Sequence, residues 1–251
     1  MPSTSRTPAV NRLLAALPAK DQRRLLDGCD RVSLSMAEVL YSPGKRLSHV
    51  FFPITSIISR IMPVDDDYVE VGLIGDEGMF GVPLALGVHE SPVRAVIQGP
   101  GIALRMEAER FCLELASTPA LQREIDRYLF VYLSQLAQSA GCTRFHLVEA
   151  RLARWLLMTQ DRARSETFHI TQEFLAFMLG VRRVGVTKAA SALQHRGLIR
   201  YRRGDITVLD RRGLKTAACG CYNADRQTYN RFLGSPPPAR VSSAARTVVV
   251  P

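Results

Sequence analysis

The spacing of apolar residues shifts repeatedly along the chain, and each shift implies a different kind of element. Residues 11–26 (NRLLAALPAKDQRRLL) place leucines in helix-compatible clusters, with Pro18 opening the second of two short helices. From about residue 29 to 116 the texture becomes short apolar runs broken by turn residues, among them VLYSPG, HVFFPITSIISRIMPVDDD, YVEVGLIGDEG and VRAVIQGPGIALRM. Such runs predict an antiparallel barrel or double-sheet roll. Asp65, Asp66 and Asp67 read as a solvated hairpin tip, because a calcium loop needs further ligands at set spacings. After Pro119 the period turns helical for some twenty residues, with Leu121, Ile125, Tyr128, Tyr132 and Leu136 recurring every three or four positions. A lone amphipathic helix of that length has a stripe to bury. The stripe is assigned to a seam with a second copy of the chain, in preference to packing on its own barrel. HLVEARLARWLLMTQDRAR predicts a further helix, with Leu147, Val148, Leu152, Trp155 and Leu156 on its apolar face and Arg151 and Arg154 elsewhere.

The predicted class is α+β. Residues 1–118 form a β-rich domain with short N-terminal helices, 119–141 the dimerisation helix, and 142–234 a second domain. The remainder, 235–251 (SPPPARVSSAARTVVVP), is expected to be a disordered tail.

Charge sharpens this division. The formal net charge is +10, yet residues 1–141 hold 14 basic against 16 acidic side chains, while 142–234 hold 17 against 7. Within the second domain, residues 171–215 carry 10 basic and 3 acidic groups, which points to a polyanionic partner. The opening MPSTSRTPAV lacks a secretory apolar run, and no segment approaches the ~20 apolar residues of a membrane span. With five cysteines, an odd number, reduced thiols and a cytoplasmic location without a membrane partner are expected.

The basic segment, HITQEFLAFMLGVRRVGVTKAASALQHRGLIRYRRGDITVLD, has internal order. Thr171 suits the N-cap of a helix running to Leu179, Gly180 ends it, and a second helix runs from about Arg182 to His195. Ala176, Gly180 and Val186 stand where a helix-turn-helix needs a small residue, a turn residue and a core contact. Val186, Ala189, Ala190 and Leu193 face inward, leaving Arg183, Thr187 and Lys188 outside on a helix suited to the major groove. Gly197 closes that helix, and LIRYRR and ITVLD flank Gly204-Asp205 as a hairpin wing. Arg200, Arg202 and Arg203 would meet phosphates. The candidate DNA-binding set is Thr171, Gln172, Arg182, Arg183, Val184, Thr187, Lys188, Arg200, Arg202 and Arg203.

On LGVRR, RYRRGDITVLD and ARLARWLL the chain resembles the Crp/Fnr family of bacterial regulators, and the resemblance extends to about residue 234. It implies an N-terminal jelly-roll β-barrel like cyclic-nucleotide-binding domains, a long dimerisation helix and a C-terminal winged helix-turn-helix. It also implies homodimeric binding to a palindromic operator with half-sites roughly 34 Å apart, and contact with RNA polymerase for an activator. Members that read a guanine-containing half-site carry an Arg-Glu pair and a later Arg; here Arg183, Val184 and Lys188 stand there, and Val184 cannot accept from a cytosine amino group.

The cyclic-nucleotide pairs of the family are replaced by Gly78-Met79 and Pro92-Val93, with Arg94 one position late and so on the opposite strand face. Met79 and Arg94 are the candidate effector contacts, and the effector is unknown. Cys29 alone stands where iron-sulfur members have a cluster, so that cofactor is not expected. Cys219 and Cys221, two apart on a helix, would point apart and are read as packing. His49, His89, His146, His169 and His195 form no metal-binding pair, and no metal is expected. The competing readings are a small-molecule sensor acting through a protein partner rather than DNA, and a metal nuclease using the DDD and GDE carboxylates. The basic helix disfavours the first; the lack of a nucleophile or base motif disfavours the second, and the chain is read as a non-enzyme.

Overall fold

The structure, a computed structural model, describes residues 10–65, 67–163, 165–234 and the pair 248–249. Helices α1 (Arg12–Ala15) and α2 (Ala19–Asp27) open the chain, with Pro18 as N-cap of α2. Asn11 caps α1 and is itself buried, its amide donating to the carbonyls of Pro53 (2.9 Å) and Gly78 (2.8 Å). Two antiparallel sheets follow. One has the order β1 (Asp30–Leu34), β7 (Gly101–Glu107), β3 (His49–Pro53); the other runs β2 (Val39–Tyr41), β6 (Arg94–Gly99), β4 (Ile57–Val64), β5 (Asp67–Ile74). Side chains from both sheets, Phe52, Ile58, Ile97 and Leu104 among them, share one core, the expected double-sheet roll. The hairpin between β4 and β5 turns at Asp65, whose φ is 53°.

Helix α3 (Ala108–Ser117) occupies the end of the region expected to be strands. Ala108, Phe111 and Leu115 are buried, and their spacings of three and four close on one helical face, which a short apolar run does not reveal. Helix α4 (Pro119–Phe145) then runs 27 residues, about 40 Å at 1.5 Å per residue. It continues through the boundary expected at residue 141.

The second domain comprises α5 (Val148–Ala163), β8 (Thr167–His169), α6 (Gln172–Leu179), α7 (Arg183–His195), β9 (Ile199–Arg202), β10 (Asp205–Val208), α8 (Arg211–Ala217) and α9 (Cys221–Leu233). Leu147 lies outside α5 and is exposed, while Leu152 and Leu156 are fully buried. Arg154, expected on the solvent side, is buried and bonds Asp225 of α9 at 2.6 Å. Strand β11 (Val248–Val249) pairs in parallel with β8; the rest of the tail expected from Ser235 lies outside the described residues.

The second domain packs directly on the first. Ile61 of β4 joins the core of the helix-turn-helix, and the Tyr68 ring lies 5.3 Å from that of Phe177. Glu70 accepts from Trp155 Nε1 (2.8 Å) and Ser59 Oγ (2.6 Å). Arg162 and Glu77 form an enclosed ion pair at 2.6 Å. Along α4 lies α9, with Phe232 against Phe130 at 4.6 Å.

This packing corrects the assignment of the α4 stripe. Leu121, Ile125 and Tyr128 are buried in the barrel's own core, Tyr132 lies beneath Arg60, and Leu136 is half-buried. Periodicity identifies a face that needs covering but not what covers it. The exposed apolar positions of α4 include Phe130 and Leu133, at 51% and 61% exposure, with Ala137, Ala140 and Phe145 further along, and Leu113 of α3 is also exposed.

Candidate nucleic-acid interface

Thr171 caps α6 as its sequence position requires, its hydroxyl oxygen accepting from Phe174 N at 3.1 Å. Gly180 ends the helix in the left-handed region (φ 59°), and Gly180 N and Val181 N donate back to Phe177 and Ala176. A side chain at Gly180 would also crowd Val69 of β5, so the position is constrained twice. Arg182 is the N-cap of α7, and Val186, Ala189, Ala190 and Leu193 are buried beneath it. Arg182, Arg183, Val184, Thr187 and Lys188 are all exposed at its start. Gln172 and Thr187 join the two helices through a 2.7 Å hydrogen bond.

The wing turns one residue earlier than expected, at Arg203-Gly204 with φ of 52° and 87°, so that Asp205 pairs with Arg202 in the ladder. A third strand, β8, pairs with β10 and had no distinct apolar run to announce it. Alternation along β9 separates its cations. Arg200 and Arg202 share one exposed face, whereas Tyr201 faces the helices, its hydroxyl donating to Ile170 O at 2.8 Å. Burial pushes the Tyr201 phenol up to about 12 against the pull of the nearby Arg183, so it stays neutral.

Recognition helix and wing enclose an open concavity of about 400 Å³, lined by His169, Thr171, Gln172, Arg183, Tyr201, Arg203 and Gly204. Two guanidiniums, from Arg183 and Arg203, look into it. His169, which sequence reasoning set aside, borders the cleft and contacts Asp205 at 2.7 Å; no spacing signal could have found it, because β8 brings it in. Of the expected set, Thr171, Gln172, Arg183 and Arg203 meet here, while Arg200 and Arg202 lie on the far face of the wing.

Residues 150–217 match the Crp-like helix-turn-helix domain family. These residues are thus similar to Crp-like helix-turn-helix domains. No curated protein matches the chain in sequence. Among solved structures, a Crp/Fnr-family transcription regulator from Eubacterium rectale is similar over 82% of this chain and 96% of its own, at 16% identity and a TM-score of 0.66. The c-di-GMP-responsive global regulator CLP of Xanthomonas campestris is similar over 77% and 100%, at 19% and 0.64. FixK2 of Bradyrhizobium japonicum is similar over 76% and 98%, at 14% and 0.65. The chain therefore has the Crp/Fnr fold, with the Crp-like domain docked on a jelly roll. These neighbours are described as regulators and not as enzymes. Among the described residues the carboxylates of the nuclease reading form no metal-binding cluster, and Asp76 pairs with Arg12 and Glu77 with Arg162.

The candidate effector residues do not converge. Met79 is fully buried in the barrel core, and its carbonyl accepts from Tyr128 at 3.2 Å. Arg94 lies on the same outer face of β6 as Val96, while Ala95 and Ile97 point inward. The cation enclosed where barrel and long helix meet is Arg60. Its guanidinium lies 3.9 Å from the Tyr132 ring centroid, occupies the space a side chain at Gly72 would need, and leaves Nε and Nη1 without hydrogen bonds. The arginine interrupting IISRIM was its signal in the sequence. Cys219 and Cys221 also depart from expectation: Cys219 lies in the turn between α8 and α9 and Cys221 opens α9, so they do not share one helix and their thiols converge.

Proposed function

We propose that the protein is a sequence-specific DNA-binding transcription regulator that acts as a homodimer on a two-fold operator. The observation that carries this reading is the cationic cleft between the wing and the exposed start of α7. Arg183 and Lys188 project from a helix whose opposite face is buried, the disposition required to enter a major groove. Arg183 presents a planar fork to guanine O6 and N7, and the exposed Val184 offers a methyl contact to thymine rather than an acceptor to cytosine. Arg203 and Gly204 backbone and side chain meet phosphate from the wing, with Arg200 and Arg202 reinforcing the field.

Dimerisation uses the face of α4 left open by its own barrel: Phe130, Leu133, Ala137 and Ala140. Large residues followed by small ones let two such helices approach along a seam. A symmetric partner would set two α7 helices about one DNA turn apart. The Arg60 region of the sensor domain is where an effector would bias that spacing, and contact with RNA polymerase would make the regulator an activator. The place of action is the cytoplasm.

The test is selection of bound sequences from a random duplex pool by the purified protein without added ligand. An enriched palindrome supports dimeric, specific readout. Salt-insensitive or absent binding to any duplex, with or without small-molecule additives, would refute the DNA reading and favour a protein partner.

A further inference from the structure

Three of the five cysteines meet at one point, although they come from sequence positions far apart. Cys142 sits in the last turn of α4, and His146 follows one turn later as the helix's C-cap. Cys219 arrives from the turn between α8 and α9, and Cys221 from the first position of α9. Cys142 Sγ lies 3.5 Å from Cys219 Sγ, and Cys221 Sγ lies 3.5 Å from His146 Nδ1. All four donor atoms fall within 4.8 Å of one another. The three cysteines are at most 8% exposed, while His146 closes the group from the solvent side.

The two 3.5 Å separations are close to the edge lengths of a tetrahedral metal site. Two thiolates each about 2.3 Å from a tetrahedral zinc ion are about 3.8 Å apart, and a thiolate and an imidazole are slightly closer. The soft donors exclude magnesium and calcium, which take oxygen ligands. The surroundings also suit a metal-thiolate centre. Gln138 Nε2 donates to Cys221 Sγ at 2.9 Å, as outer partners of ligating sulfurs do. The buried Arg154 lies beside Cys142. Three thiolates, one neutral imidazole and a divalent ion sum to one negative charge, which Arg151 offsets while Arg154 remains paired with Asp225.

We propose that Cys142, His146, Cys219 and Cys221 bind one zinc ion in a closed Cys3His site. Binding releases three thiol protons and involves no change in oxidation state. The site bridges the junction at His146-Leu147 where α4 gives way to α5, so the ion clamps the long helix to the far end of the DNA-binding domain. From α5, Arg151 reaches the Leu179 carbonyl at the end of α6, which extends the clamp to the helix-turn-helix. Zinc thereby holds the recognition helix in a set orientation relative to the dimer seam.

The experiment uses the full chain, purified anaerobically under reducing conditions, exchanged against Zn²⁺ and then gel-filtered. Elemental analysis should find one zinc per chain, and Co²⁺ substitution should give tetrahedral d–d bands with sulfur-to-cobalt charge transfer. Cys219→Ser and Cys221→Ser should lose both signals, whereas Cys112→Ser, in the sensor domain, should keep them. The wild-type measurements do not depend on the variants folding. Wild-type protein with all thiols reduced that retains no zinc, or binds Co²⁺ without thiolate bands, overturns the proposal. So does formation of a Cys142–Cys219 disulfide when the zinc-exchanged protein is subsequently exposed to molecular oxygen as the two-electron oxidant, which would identify a redox pair.

Discussion

Glu70 offers a quantitative test of how the two domains are joined. It stands on β5 against the second domain, accepting from Trp155 Nε1 at 2.8 Å and Ser59 Oγ at 2.6 Å. Burial raises its pKa from 4.5 to about 7, and the two hydrogen bonds, with Arg162 and Arg60 further off, only partly oppose this. The unfolded chain releases the proton near 4.5 while the folded protein holds it to about 7, so stability falls as pH rises through that window and is lowest above it. A shift of this size corresponds to about 3 kcal/mol; the carboxylate is not wholly enclosed, and solvent screening reduces the penalty to about 2 kcal/mol. Glu70→Gln keeps the shape and the acceptor for Trp155, and its amide can donate to Ser59 Oγ, whose proton then turns to Met178 Sδ at 3.7 Å. Urea unfolding across this window should find variant and wild type similar at its acid end and the variant more stable by about 2 kcal/mol on its alkaline side. A difference independent of pH, or a variant that loses stability as pH rises, would refute an ionised, desolvated Glu70.

Other substitutions separate the roles assigned above. Arg183→Ala should weaken specific binding by about 1–3 kcal/mol and relax one base position in a binding selection. Arg203→Ala should weaken all sequences alike and lower the salt slope by about 1, with a smaller effect for Arg202→Ala; titration of specific and random duplexes at several salt concentrations distinguishes these outcomes, and a base-specific loss would contradict phosphate contact. Leu133→Asp should yield folded monomers in sedimentation, whereas Ile125→Asp should unfold the barrel by placing a charge in a fully buried site; a folded Ile125→Asp monomer would restore the seam to the inner stripe.

The Crp-like domain was legible in sequence because its devices are local. A capping threonine, a glycine that tolerates positive φ, a 3.6-residue period and a two-residue hairpin each act within a few residues, and the strong excess of cations needs no partner to be recognised. The roll was legible in outline, from run length and turn residues. What covers each apolar face was not. The stripe Leu121, Ile125, Tyr128 has the same period whether a second copy or the chain's own barrel buries it, and only the packed structure shows it to be the barrel. Arg154 reads as a surface charge until Asp225, 71 residues away, is seen beside it. Likewise Cys142 and His146 are an ordinary i, i+4 pair on a polar helix end, and Cys219 and Cys221 an ordinary short repeat, until the path of α8 and α9 brings them together. Local conformational preference is written into a few neighbouring residues; burial, pairing and ligand geometry depend on contacts between distant ones, and those are decided when the chain closes on itself.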